Sequence, residues 1–131
     1  MCIFCEIING NIPSKKVYED ADVLAILDIS QTTYGHTLVM PKKHYENINE
    51  CPKELLYKVI SVTQDLNRKI MVNLKANGSN ILTNTNEASG QSVPHLHFHI
   101  IPRYDENDTI KIEVTNNNFD LDEVLNKIQA S

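Results

Sequence analysis

A chain of 131 residues has room for one domain with its own core and needs no covalent staple to fold. Twelve Lys plus Arg against seventeen Asp plus Glu leave a net charge of −5, which excludes an extended track for a nucleic-acid backbone, although a few local donors suffice for one or two phosphates. Three cysteines cannot all pair, two of them lie three positions apart, and no apolar run approaches the ~20 residues of a membrane span, so a disulfide scaffold and a membrane protein are both excluded.

The first residues lack the basic region and long apolar stretch of a secretory signal, and one cytoplasmic domain over 1–131 is expected. Ile3 to Ile8 reads as a short helix or turn, followed by turn chemistry at Asn9-Gly10-Asn11-Ile12-Pro13-Ser14. Val17 to Glu19 and Val23 to Asp28 predict a hairpin across Asp20-Ala21-Asp22, and His36 to Met40 predicts another strand, ended by Pro41. From Pro52 to about Lys75, Leu55, Leu56, Val59, Ile60, Thr63, Leu66 and Ile70 recur at helical spacing, with Asn77-Gly78 as the stop. Ile81 to Thr85 reads as a strand, Ser89 to Ser92 as a loop, and His95 to Ile101 as a strongly period-two strand closed by Pro102. Ile110, Ile112 and Val114 alternate as a weak strand, Thr115 to Asn118 forms a polar loop, and Phe119, Leu121, Val124, Leu125 and Ile128 predict an amphipathic C-terminal helix. Strands in runs with separate helices give an α+β class around an antiparallel sheet.

In His95-Leu96-His97-Phe98-His99-Ile100-Ile101 successive side chains alternate faces, so three imidazoles point one way while Leu96, Phe98 and Ile100 point to the core. A row of imidazoles gains no packing, and such local breaches of sequence logic mark functional sites. The residues leave two chemistries open: a metal shared by His95, His97 and His99, or a neutral imidazole that attacks phosphorus while its neighbours orient it and bind the phosphoryl oxygens. Gly90, Gln91 and Ser92 just before the strand offer close backbone approach, an amide and a hydroxyl, which suit phosphate better than a metal ion.

The run from Gly90 to Ile101 closely resembles the signature of the histidine triad (HIT) family in its nucleotide-binding hydrolase branch. Cys2-Ile3-Phe4-Cys5, Ile12-Pro13, Val17-Tyr18-Glu19-Asp20, Leu27-Asp28-Ile29, Gly35-His36 and Pro41-Lys42-Lys43-His44 also follow in family order. The resemblance implies a HIT-like fold: an antiparallel sheet of about five strands, a long central helix and a C-terminal helix, in a chain that forms a homodimer. It implies hydrolysis through a nucleotidyl-histidine intermediate, because His99 stands where the related uridylyltransferases usually carry Gln. His97 then matches the nucleophile, with His99 and Ser92 assisting. Asp28 matches a ribose acceptor, and Ile3, Phe4, Ile7, Ile12, Ile26 and Ile29 match an apolar slot around a purine. Asn84, Gly90, Gln91 and Ser92 match positions near the phosphates and the leaving group.

Cys2-x-x-Cys5 has the spacing of half a structural zinc site, with Cys51, His36, His44 and His95 as candidates for the remaining ligands. By resemblance, His44 and His95 complete a Cys2His2 zinc site that holds the N-terminus to the sheet and takes no part in catalysis. The implied activity is that of a nucleoside phosphoramidase on purine nucleotide conjugates. A dinucleoside polyphosphate hydrolase and a non-catalytic nucleotide-binding adaptor are the competing readings.

Overall fold

In the computed structural model, which describes residues 2–130, antiparallel pairing runs through one five-stranded sheet. In chain order the elements are α1 (Ile3–Ile8), β1 (Lys16–Glu19), β2 (Val23–Leu27), β3 (Thr37–Pro41), α2 (Lys53–Asn73), β4 (Gly78–Leu82), a 3₁₀ turn (Glu87–Ser89), β5 (Phe98–Arg103) and α3 (Leu121–Gln129). The strands lie side by side as β1-β2-β3-β5-β4, every neighbouring pair antiparallel. The α+β class, the five strands and the central and C-terminal helices are those expected from the sequence.

One helix covers each face of the sheet. On one side Val59, Leu66 and Ile70 of α2, spaced to share a helix face, pack on Val23 and Ala25 of β2, Val39 of β3 and Leu96, Phe98 and Ile100. On the other side Phe4 and Ile7 of α1 pack on Leu24, Ile26, Leu38 and Met40. β2 and β3 are therefore buried on both faces, which is why they read as near-continuous apolar runs rather than as alternations.

The differences from the sequence reading have local causes. β5 starts at Phe98 rather than His95, because pairing with β3 begins at Val39–Phe98 and the Leu96 amide donates instead to the Tyr45 carbonyl at 2.6 Å. His95 lies in a bend and its N–H donates to the Val93 carbonyl, yet the alternation of faces holds: Leu96 joins the core under α2 with Phe98 and Ile100, while His97 lines the cavity on the other face. Pro102 lies inside β5 rather than ending it, since β3 pairs no further than Ile100 and leaves no partner to miss the N–H. β4 begins at Gly78, expected as a helix stop, and ends before Thr83, whose hydroxyl donates to the His97 carbonyl at 2.8 Å. α2 ends at Asn73 because Lys75 turns into the left-handed region with φ 56°. The weak strand expected at Ile110, Ile112 and Val114 is absent: the segment is coil that pairs with no strand, half-buried at Ile110 and exposed at Ile112 and Val114.

Candidate active site

The face opposite α2 carries a cavity of about 250 Å³ between α1, the turn at residues 12–14 and the ends of β2 and β5. Ten residues expected from the sequence line it: Ile3, Phe4, Ile7, Ile12, Ile26, Asp28, Ile29, Ser92, His97 and His99. Pro13, Ser14, Leu27 and Leu38 line it as well and were missed; their signal lay in the turn and in the inward face of β3. The apolar side chains form a slot with Asp28 and the two imidazoles at one end.

His97 is buried, with its ring edge-on to Phe4 at 4.9 Å between centroids. Its Nδ1–H donates to the His95 carbonyl at 2.7 Å. A neutral ring that donates from Nδ1 keeps its lone pair on Nε2, which makes no hydrogen bond to the described residues. Burial pushes His97 below the usual imidazole range, so the neutral form prevails at neutral pH.

His99 is held by a residue that the sequence reading placed only among the possible zinc ligands. His36 Nε2 lies 2.9 Å from His99 Nδ1. The backbone N–H of Thr32 donates to His36 Nδ1 at 3.4 Å, which leaves the His36 proton on Nε2, facing His99. His99 accepts at Nδ1 and therefore carries its own proton on Nε2. Asp28 Oδ2 stands 3.7 Å from His36 Nδ1, and its other oxygen accepts from the Ser30 amide at 2.8 Å. Burial, then the neighbouring His97 and His36, pull His99 down to about 4, and burial also lowers His36. The resemblance matched the Gly35-His36 pair without giving it a role; Gly35 has φ 96°, and a Cβ there would collide with Leu74 at the end of α2, so glycine is needed at the turn that leads into His36.

The loop before β5 divides its expected residues. The Ser92 hydroxyl is exposed and lines both the slot and a neighbouring polar cavity of about 480 Å³ shared with Glu46, Asn86, Glu87, Gln91 and Pro94. Gln91 does not line the slot; its oxygen accepts from the Asn86 amide, and its NH₂ donates to the Glu46 and Val93 carbonyls, which shapes the loop. Asn84 and Gly90 lie beside one another outside the slot: a Cβ on Gly90, whose φ is 105°, would sit 3.9 Å from Asn84 Nδ2.

Cys2, Cys5, His44 and His95 bring their ligand atoms within 4.8 Å of one another. The His95 ring donates from Nε2 to the Pro41 carbonyl at 2.8 Å, so the unprotonated Nδ1 faces the thiols. His44 Nδ1 is 3.2 Å from His95 Nδ1 and 3.3 Å from Cys5 Sγ, while His95 Nδ1 is 3.5 Å from Cys2 Sγ and 3.6 Å from Cys5 Sγ. Tetrahedral zinc with ordinary bond lengths has N–N edges of about 3.3 Å and N–S edges of about 3.6 Å, so the donor set fits that ion. Cys51 is buried apart from this cluster beside Pro52. The alternative with one metal held by His95, His97 and His99 fails at His95, whose Nε2 is bonded to the Pro41 carbonyl and whose Nδ1 faces the thiols, so neither nitrogen is left to share an ion with the other two rings.

Comparisons with known proteins identify what this chain is similar to. The family model described as HIT domain matches residues 9–106. Similar chains include an uncharacterized HIT-like protein of Methanocaldococcus jannaschii, 48% identical over 99% of this chain and 100% of its own length. Protein hit of Bacillus subtilis is 53% identical over 82% of this chain and 74% of its own. The adenylylsulfatase HINT3 of Arabidopsis thaliana is 38% identical over 78% of this chain, which spans about half (52%) of that protein. Among solved structures, a HIT family member from Bacillus subtilis superposes with a TM-score of 0.92 at 44% identity, over 98% of this chain and 93% of that one. A histidine triad nucleotide-binding protein from Candida albicans gives 0.86 at 31% identity over 98% and 93%. A Zn-bound histidine triad family protein from Mycobacterium smegmatis gives 0.78 at 38% identity over 83% and 79%. The family model over residues 9–106 and relatives up to 53% identical place this chain in the HIT domain family.

Proposed function

We propose that the chain is a purine nucleotide-binding hydrolase that works through a nucleotidyl-histidine intermediate, with nucleoside phosphoramidates as its substrates. The observation that carries this reading is the tautomer of His97: its Nδ1–H is held by the His95 carbonyl, so the Nε2 lone pair is free to attack at the polar end of an apolar slot. Asp28 would accept the ribose hydroxyls, and the apolar walls would enclose the base. Attack of Nε2 on phosphorus breaks the bond to the leaving amine, which takes up a proton; water then displaces His97 and releases the nucleoside monophosphate. His99, donating from Nε2, would hold the phosphoryl oxygens as charge gathers there, and the Ser92 hydroxyl would assist the departing group. The names of the plant adenylylsulfatase and the fungal nucleotide-binding protein support nucleotide chemistry of this kind.

An amine suits the leaving-group side better than a polyphosphate does. Beyond Ser92 the polar cavity is lined by Glu46 and Glu87 and by no cationic side chain, so an anionic leaving group would meet like charge there. The same reading includes one structural zinc on Cys2, Cys5, His44 and His95, supported by the fit of the donor set and by the zinc-bound relative. It also includes a cytoplasmic location and a homodimer, the latter supported by α3, whose Leu121, Leu125 and Ile128 lie exposed on a helix that touches little of its own chain. No helix among the described residues is long and apolar enough to cross a membrane.

The decisive experiment incubates the chain with adenosine 5′-phosphoramidate, quenches early and weighs the protein. An adduct of one nucleotidyl group, absent in His97→Ala, is the expected result. Binding of adenosine monophosphate with neither adduct nor turnover would instead make the chain a nucleotide-binding adaptor.

A further inference from the structure

His95 belongs to two assemblies at once. Its ring lies in the Cys2–Cys5–His44 ligand set, while its own carbonyl accepts the proton that defines the reactive tautomer of His97. The residue is fully buried and fixed at each of its polar atoms: Nε2–H donates to Pro41, the backbone N–H donates to the Val93 carbonyl at 2.8 Å, and Nδ1 faces the thiols. A ring gripped at both nitrogens leaves the peptide that follows it little freedom to turn. Since His95 and His97 lie just before β5, the ladder with β3 does not fix that peptide; its N–H, on Leu96, donates instead to the carbonyl of Tyr45, the residue that follows the ligand His44. The Thr83 hydroxyl, which bonds the His97 carbonyl, lies on the other side of the nucleophile.

A second contact joins the same parts. Cys2 and Cys5 flank Phe4 in sequence, and Phe4 stands edge-on to both rings, 5.9 Å from His95 and 4.9 Å from His97 between centroids. The ligand set thus grips the turn of α1 that presses on the nucleophile, as well as the residue that holds its proton.

We infer that His95 is a positioning residue for catalysis: a metal ion bound at Cys2, Cys5, His44 and His95 sets the orientation and tautomer of His97 through the His95 carbonyl. The inference rests on the zinc reading proposed above and goes beyond it, because a clip that only tied down the N-terminus would leave His97 unchanged. The ion makes and breaks no bond of substrate; it acts through the pose of His95. With the ligand set empty, the ring is held at Nε2 alone and the His95–Leu96 peptide only by the Leu96 N–H on the carbonyl of Tyr45, whose neighbour His44 has lost its ion too; the carbonyl can then tilt from His97, and the His97 proton can move to Nε2, which removes the attacking lone pair.

The test compares the zinc-loaded chain, the chain stripped by chelator and the stripped chain given zinc back. Metal content is measured on each, with circular dichroism to follow the fold. Ring ¹⁵N resonances of His97 report the tautomer, and quenched-flow with adenosine 5′-phosphoramidate reports the rate of nucleotidyl transfer. The expected result is a single Nδ1–H tautomer with zinc and a mixture of tautomers without it. The transfer rate should fall about 10- to 100-fold on stripping, the scale on which groups that orient a reactive centre act, and zinc should restore both readouts. Where the stripped chain unfolds, the cadmium-loaded chain supplies the comparison, since a larger ion in the same ligands must displace the His95 ring and shift the His97 resonance and rate. His97 resonances and transfer rate that stay constant across zinc, cadmium and the folded stripped chain would overturn the inference while leaving the zinc site standing. A chain that takes up no zinc when offered it would overturn the zinc reading and the inference with it.

Discussion

His36 Nε2 stands 2.9 Å from His99 Nδ1, and this contact makes His36 the member of the site that decides which nitrogen of His99 carries a proton. With the Thr32 amide donating to one side of the His36 ring and His99 accepting on the other, His99 presents an N–H rather than a lone pair at Nε2. His36→Phe fills the volume but offers no donor. It should lower kcat about 10- to 100-fold with KM changed by less than about threefold. Steady-state kinetics showing an unchanged kcat would remove His36 from the machinery.

For His97 the expected loss is much larger, because without its Nε2 no covalent intermediate forms. His97→Ala should reduce turnover by roughly 10⁴-fold or more while adenosine monophosphate still binds, as isothermal calorimetry would show. His97→Gly supplemented with imidazole should regain part of the activity. Near-normal hydrolysis by His97→Ala together with a dead His99→Ala would reverse the roles assigned to the two rings.

Stability should depend on pH through the buried rings outside the metal ligand set. His36, His97 and His99 are all lowered by burial, His99 from 6.5 to about 4, so between those values the unfolded chain binds more protons at His99 than the folded one, and the other two rings act in the same direction. Stability then rises with pH through this window, is fully present above pH 6.5 and is lost as pH falls toward 4, by at most about 1.4 kcal/mol per pH unit for His99. Urea midpoints at pH 7 and pH 5 check the sign, and a midpoint higher at pH 5 would contradict it.

Metal analysis of protein purified without chelator should return one zinc per chain, and Cys51→Ala should bind as much as the parent, since Cys51 lies apart from the ligand set. Cys5→Ala should bind less and melt at a lower temperature, because the ion ties α1 to the rest of the chain.

In sedimentation the chain should run at twice its 14.9 kDa mass at micromolar concentration. Replacing Leu121, Leu125 and Ile128 together by Ser should shift it toward monomer, because these exposed side chains need a cover that their own chain does not supply. A monomer for the parent chain would remove the homodimer from the proposal.

Much of this site was legible because its residues are close in sequence or follow a simple period. The alternation of His95 to Ile101 placed the imidazoles and the core on opposite faces even though only Phe98 onward joins the sheet. Positions matched by resemblance, such as Asp28, Ile12 and Ser92, did gather round one slot. His36 lay beyond this logic, because its contact with His99 spans 63 residues and depends on β3 pairing with β5, a register that no local pattern encodes. Gln91 reads as a free amide in sequence, yet the carbonyls of Glu46 and Val93 claim it once the loop closes. The run Ile110 to Val114 has strand chemistry but no neighbouring edge to pair with, so propensity alone did not make a strand.

The two walls of the slot differ in how easily they can open. Leu38, on the sheet side, belongs to β3, which is bonded on both edges and buried on both faces, so its amides should exchange with solvent only when the whole domain unfolds. Ile3, Phe4 and Ile7, on the opposite wall, belong to a six-residue helix of two turns at most, a unit far too short to persist by its own hydrogen bonds. In the metal-free chain, hydrogen exchange should therefore find the yielding wall at α1 and the fixed wall at β3, whereas an ion on Cys2 and Cys5 would slow the opening of α1, so that the same ligand set that steadies His97 would also govern how readily a nucleotide is admitted.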